Sequence, residues 1–261
     1  GPTDITVNDD QVVRFQAHGW NATRVDGHDP QAIEQAIAAA QKSDKPSMIA
    51  CRTIIGFGAP KKQGTAATHG SPLGKEEIAG AREKLGWPYP PFEIPAPILD
   101  AWRKIGTRGR PEFDAWTRRH AGAGQKAEFD RVQSGTLPEG FNDAVQKIKN
   151  AFAAEAPKLA TRQASQKVIE GLTAVMPELV GGSADLSGSN LTKGKAAVPV
   201  TSPGYKGDYI YYGVREHGMA AAMNGLALHG GVIPFGGTFP CFTDYARPAI
   251  RLSALMGQRV V

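Results

Sequence analysis

Residues 209–237, YIYYGVREHGMAAAMNGLALHGGVIPFGG, hold the pattern that decides the fold. Tyr209 to Val214 reads as a strand and Glu216 to Leu228 as a helix, which Gly230-Gly231 stops in C-cap fashion. Val232 to Phe235 is a second short strand, and a helix around Tyr245 to Met256 follows it. Upstream, Val168, Ile169, Leu172 and Val175 form the apolar stripe of a helix that leads to a strand at Leu179 to Ala184. A loop rich in Gly, Ser, Pro and Lys then runs to Asp208. Strands that alternate with helices predict an α/β fold with a parallel, doubly wound sheet.

The N-terminal part repeats this grammar. Ala22 to Val25 reads as a strand that enters a turn, where Asp29 caps a helix and Pro30 occupies its first turn. Ile33, Ala36, Ile37 and Ala40 make that helix's apolar stripe. Met48 to Ile55 is an apolar run expected to be a buried parallel strand. A Gly- and Thr-rich loop spans Gly56 to Gly74, and a helix from Lys75 ends at Gly86. Pro88, Pro90, Pro91, Pro95 and Pro97 exclude regular structure and mark a semi-rigid connector. Beyond it Ile98, Trp102 and Ile105 recur at helical spacing, as do Phe141, Val145, Ile148 and Phe152. This polar, helical middle stretch is expected to link two bodies and to lie against the larger. The expected division is 1–86, 87–158 and 159–261.

Composition narrows the function. The 261 residues are 41% hydrophobic and 21% charged, enough for a core and too apolar for disorder. No uninterrupted apolar stretch is long enough for a spanning helix. Gly1 to Asp10 has neither the basic region nor the apolar core of a signal peptide. The formal charge of +5 suits anionic small substrates. Arg103, Lys104, Arg108, Arg110, Arg118 and Arg119 could mark a nucleic-acid patch, but with no recognition motif they read better as a solvated helical face. Two distant cysteines, Cys51 and Cys241, lack metal-ligand spacing and point to a reducing, cytoplasmic compartment.

The specific signal lies in a series of blocks: Asp26-Gly27-His28-Asp29, Cys51 to Gly58, Thr68-His69-Gly70-Ser71-Pro72-Leu73-Gly74, Arg162 to Gln166, Gly181 to Thr192, and Gly213-Val214-Arg215-Glu216-His217-Gly218-Met219. In this order, over essentially the whole length, they resemble the transketolase family. The resemblance implies the end of a diphosphate-binding domain (1–86), an interdomain linker (87–158) and the first part of a pyrimidine-binding domain (159–261), all of thiamine-diphosphate-binding type. It implies a transferase of the pentose phosphate pathway or Calvin cycle, moving a two-carbon ketol unit between sugar phosphates as a homodimer. A dihydroxyacetone synthase, a deoxyxylulose-phosphate synthase and a non-catalytic module of a split complex are the alternatives. Neither nucleic acid nor membrane is an expected partner.

Individual roles follow from the same resemblance. On periodicity alone Glu216 is a carboxylate at a helix N-terminus, placed there by the helix dipole. The matching glutamate in the family hydrogen-bonds the aminopyrimidine ring of thiamine diphosphate and relays the proton leaving thiazolium C2. Phe242 would by pattern be a core aromatic; the resemblance sets it against the pyrimidine ring, with Phe239 and Tyr245 as further pocket candidates. His69, in a loop, either stabilises that loop or, as in the family, contacts cofactor and substrate. Arg162 and Ser189 match positions that hold the substrate phosphate. Ser165 is a helix-start residue or a further phosphate ligand, and Asp185 lines the cofactor cleft or a dimer contact. His28 reads as part of a turn and cap. The family's Gly-Asp-Gly signature is absent from this sequence, so ligands for Mg²⁺ or Ca²⁺ are expected outside it and no metal residue is assigned. The unfinished strand pattern Arg259-Val260-Val261 leads to the expectation of a fragment without activity of its own.

Overall fold

The computed structural model describes residue 3 and residues 5–261; residues 1, 2 and 4, within the stretch inspected for an export signal, lie outside it. The chain forms two compact units, residues 1–108 and 109–261. The stretch read as a linker is thus shared between them.

The first unit is built on two parallel strands, β1 (Asn21–Asp26) and β2 (Ser47–Arg52), paired from Asn21↔Ser47 to Asp26↔Arg52. A short helix α1 (Gln11–Ala17) precedes them, its first turn capped by the Asp10 carboxylate, which accepts from the amides of Val12 and Val13. Helix α2 (Pro30–Ala40) joins the strands. Asp29 accepts from the Gln31 and Ala32 amides at 2.9 and 3.1 Å, and Pro30 sits where no amide is needed. Helix α3 (Lys75–Lys84) closes in a Schellman turn: the Gly86 amide reaches the Glu83 carbonyl and the Trp87 amide the Arg82 carbonyl. Gly86, at φ 63°, supplies the left-handed residue this closure requires.

Two expectations need correction here. The apolar run Met48 to Ile55 is not one buried strand. Pairing stops at Arg52, because the Ile54 amide donates to His28 and the Ile55 carbonyl accepts from Gly64, which pulls both residues out of the ladder. Ile54 and Ile55 are exposed. The irregular proline stretch also ends two residues early, at Pro95. Helix α4 (Ala96–Thr107) includes Pro97 in its first turn, where a missing amide costs nothing. Its Ile98, Trp102 and Ile105 share a helical spacing but remain exposed, Trp102 at 69%.

The second unit opens with helices α5 (Arg110–Ala121), α6 (Lys126–Gln133) and α7 (Phe141–Glu155), then α8 (Thr161–Thr173). Its sheet is β3 (Leu179–Ser183) flanked on one side by β4 (Tyr209–Tyr211) and on the other by β5 (Ile233–Gly237), all parallel. The short helix α9 (Ser187–Asn190), α10 (Glu216–His229) and α11 (Thr243–Leu255) complete it. Strand β4 is shorter than the Tyr209 to Val214 expected, because Gly213 turns at φ 70° and the Arg215 amide folds back on its carbonyl. Val261 bonds to Pro234 and Gly236 along β5.

Both faces of this sheet are covered. Phe235 joins Met176 and Leu179 in a core packed by Phe141, Ile169 and Leu172 of α7 and α8. The next residue, Gly236, faces the other way, and a Cβ there would lie 2.7 Å from the Met223 sulfur of α10. Met219, Ala220 and Met223 of α10 form the second core with Ala184 and Ala249. Buried Asn224 ties the two helices of that layer together by donating to the Ala249 carbonyl and accepting from Ser253.

Helix α6 is fastened to the start of β3 by a saturated guanidinium. Arg131 donates to both oxygens of Glu128, both of Glu178 and the Thr136 carbonyl. The Glu178 side chain is only 4% exposed, and the Arg131 bonds hold its carboxyl below the usual carboxylate range. A carboxyl lowered on folding adds stability above its unfolded value of about 4.5, and that stability drains as pH falls through the folded value. Glu178→Gln is therefore expected to be less stable than the parent at pH 7. Its acid limb, from urea unfolding midpoints between about pH 5 and 2, should be shallower by up to about one bound proton. Parallel curves for the two proteins would contradict this.

Candidate functional site

In open parallel sheets ligands gather beyond the carboxyl ends of the strands. Most candidates of the second unit follow such ends: Asp185 and Ser189 after β3, Glu216 after β4, and Phe239, Phe242 and Tyr245 after β5, while Arg162 and Ser165 stand at the start of α8. In the first unit His28 follows β1 and His69 follows β2.

Glu216 is the first residue of α10 and is 2% exposed. Its carboxylate accepts from the Thr238 hydroxyl at 3.1 Å and from the Tyr245 phenol. The Glu216 amide in turn donates to the Tyr245 oxygen at 3.0 Å. A carboxylate offers about four lone-pair positions, so both oxygens retain capacity for a further donor. The segment that supplies these partners also carries Phe239 and Phe242. Their rings lie 6.2 Å apart and within 13° of parallel, and each is about two-fifths exposed. A buried carboxyl with spare acceptor capacity beside part-exposed flat aromatic rings fits an aminopyrimidine ring.

Arg162 and Ser189 line one cavity of about 1020 Å³. Ser165, Asn190 and Thr238 also line it, above a floor that includes Ile169, Leu172, Ile233 and Phe235. Arg162 and Ser165 stand in the first turns of α8, where the Gln163 carboxamide accepts from the Ala160 amide but Ala160 offers no side-chain cap to the amides that follow. Uncapped amides, a guanidinium and hydroxyls form a donor set suited to a phosphate. Asp185 is exposed at φ 62° and does not line this cavity. Thr238, which joins the cavity wall to Glu216, was not among the residues singled out from sequence; its only signal was its place just past a parallel strand.

His69 is exposed in the loop between β2 and α3, where its amide bonds to Ala66. That loop is internally braced. The buried Glu77 carboxylate of α3 accepts from the Lys61 and Lys62 amides, and the Lys62 ammonium donates to the Leu73 carbonyl. His28 does more than turn the chain. Its Nε2 accepts from the Ile54 amide at 2.9 Å and its ring stacks on Phe57, 3.7 Å between centroids. Among the described residues no group of three or more His, Cys, Asp or Glu is arranged to hold a metal ion. Nor is any helix among the described residues long and apolar enough to cross a membrane.

Comparison with known proteins identifies the family. A family model described as the thiamine diphosphate binding domain of transketolase matches residues 1–138, and one described as the transketolase pyrimidine binding domain matches residues 157–261. The chain is 51% identical over 257 residues to the transketolase of Cereibacter sphaeroides, covering 98% of this chain and 39% of that protein. It is 46% identical over 269 residues to transketolase 2 of Escherichia coli, covering 100% of this chain and 40% of the relative. Among solved structures, transketolase from Leishmania mexicana superposes with a TM-score of 0.85 at 35% identity, over 99% of this chain and 39% of that one. Pichia stipitis transketolase in complex with sedoheptulose 7-phosphate gives the same score and identity, over 99% of this chain and 40% of that one. A doubly covered parallel α/β unit with a buried carboxyl beyond its strands defines the class, and the matches define the family: the chain belongs to the transketolases. It spans about two-fifths of the length of these relatives.

The His28 contact gives a local prediction. His28→Leu should accelerate exchange of the Ile54 amide roughly fivefold, as loss of a net hydrogen bond of about 1 kcal/mol implies. His28→Gln, whose carboxamide oxygen reaches a similar position, should restore protection. Proton exchange followed by NMR reads both, and unchanged exchange in His28→Leu would refute the contact.

Proposed function

We propose that the protein acts as a transketolase. It would reversibly transfer a two-carbon ketol unit from a ketose phosphate to an aldose phosphate, with thiamine diphosphate bound. The observation that carries this reading is the buried Glu216 carboxyl, held by Thr238 and Tyr245 on the segment that bears Phe239 and Phe242. When bound, thiamine diphosphate supplies an electron sink for the carbon–carbon bond that is broken and formed. Glu216 holds a proton toward the N1′ nitrogen of the aminopyrimidine, and its two hydroxyl partners fix the carboxyl in one rotamer. Phe242 orients the ring by stacking. Arg162 and Ser189 bind the phosphate of the sugar, which fixes the depth at which the carbonyl end lies. His69 contacts cofactor and substrate and can donate or accept a proton near neutral pH. Asp185 lines the cofactor cleft.

The remaining assignments belong to the same proposal. Residues 1–86 and 159–261 are parts of the diphosphate- and pyrimidine-binding domains, joined by 87–158. The active form is a homodimer. Mg²⁺ or Ca²⁺ would neutralise the diphosphate, through ligands outside this sequence. The compartment is cytoplasmic, in keeping with two free, exposed cysteines.

Two variants of the full-length enzyme test the reading. Glu216→Gln keeps size but removes the proton relay, so exchange of the thiamine C2 proton, followed by NMR, should slow by about two orders of magnitude or more while cofactor binding is largely retained. Exchange at the parent rate would refute the role. Arg162→Ala should raise KM for phosphorylated substrates by roughly one to two orders of magnitude and leave hydroxypyruvate nearly unaffected. Equal losses on both would make Arg162 structural.

A further inference from the structure

Ser183, the last residue of β3, has no exposed surface and lies at the meeting point of three chain segments. Its hydroxyl donates to the Gly237 carbonyl at the end of β5 (2.9 Å). It accepts from the Leu186 amide (3.2 Å) and from the Asn190 side-chain amide (2.9 Å). One donor and two acceptor positions are all a serine hydroxyl has, so this one is saturated. Both of its donors belong to the turn that carries Ser189.

That turn is costly to form. Asp185 and Leu191, on either side of α9, adopt φ values of 62° and 58°, a region side chains rarely occupy. Such residues persist where surrounding contacts over-determine them. Here the contacts come from both ends. Asn190 accepts from the Thr192 hydroxyl at 2.9 Å. The buried Tyr209 hydroxyl lies 2.8 Å from that of Thr192 and 2.7 Å from that of Ser187. Gly237 lets the turn approach β5 closely, since a Cβ there would stand 2.2 Å from the Thr192 methyl. The residue after Gly237 is Thr238, whose hydroxyl donates to Glu216.

We infer that Ser183 is a positioning residue: its hydroxyl clamps the Ser189 turn to the end of β5, the strand end that also fixes the Glu216 carboxyl. The clamp sets the register between the anion-binding side of the cavity and the carboxyl. That the held turn receives a sugar phosphate rests on the function proposed above; that Ser183 holds it does not.

The test separates the two. In Ser183→Ala, amide exchange at Ser189, Asn190 and Leu191 should accelerate about tenfold or more, with exchange in α10 of the folded variant little changed. Affinity for a ketohexose 6-phosphate, measured by calorimetry, should fall about tenfold. The unphosphorylated ketohexose serves as control. Because the alanine leaves buried groups unpaired and could unfold the chain, Ser183→Cys, of similar shape but a weak hydrogen-bonding partner, is measured alongside and should shift the same amides in the same direction. Unchanged exchange at the turn in a folded variant overturns the inference, as does acceleration spread equally over the whole unit. If Arg162→Ala leaves the affinity for the phosphorylated probe unaltered, the phosphate reading fails while the exchange result still decides the role of Ser183.

Discussion

The second unit depends on how closely β3 lets its neighbours approach. A Cβ on Gly181 would fall about 2.0 Å from the ring of Phe235, and one on Gly182 about 2.3 Å from that of Tyr212. Both rings lie across the central strand because nothing projects from it at these two positions. Phe235 thereby joins the α7–α8 core, while Tyr212 packs with Met219 and Met223 of α10. With β3 pinned between β4 and β5 in parallel, three strand ends open at one edge, and each sends a functional segment out of it. This is the usual geometry of α/β sites, reached here by two adjacent glycines in the central strand.

From that edge the chemistry follows in short steps. Glu216 heads α10, so its backbone is fixed by the helix and its carboxyl by two hydroxyls that arrive from beyond β5. Ser189 hangs from β3 on a strained turn, and Arg162 meets it across a cavity from the uncapped start of α8. None of the three relies on its own element alone.

Local chemistry was the legible part of the sequence. Asp29-Pro30 announced the start of α2, Gly86 the end of α3 and Gly230 the end of α10, because caps and left-handed turns are written in one or two residues. The alternation of strands and helices was equally plain. The seven-residue α1 was missed although Asp10 caps it, since one short turn leaves too little periodicity to see. Ile54 and Ile55 looked like strand because their apolarity was visible and the His28 acceptor was not. Glu216, Phe242, Arg162 and Ser189 came from motif resemblance rather than from spacing. Ser183 lay inside a matching block without a role of its own and Thr238 lay outside the blocks: one partner of Ser183 lies 54 positions away and that of Thr238 22. Polar residues whose value lies wholly in tertiary contacts stay silent in a linear reading.

The central claim is that one edge of the β4–β3–β5 sheet receives both the pyrimidine ring and the sugar phosphate. A crystal structure of the full-length protein with thiamine diphosphate and a ketose phosphate measures it most directly. The account predicts the aminopyrimidine N1′ within hydrogen-bond distance of Glu216, the ring against Phe242, and phosphate oxygens on Arg162 and Ser189. A ring bound away from Glu216, or a phosphate held by other residues with Arg162 turned to solvent, would contradict it.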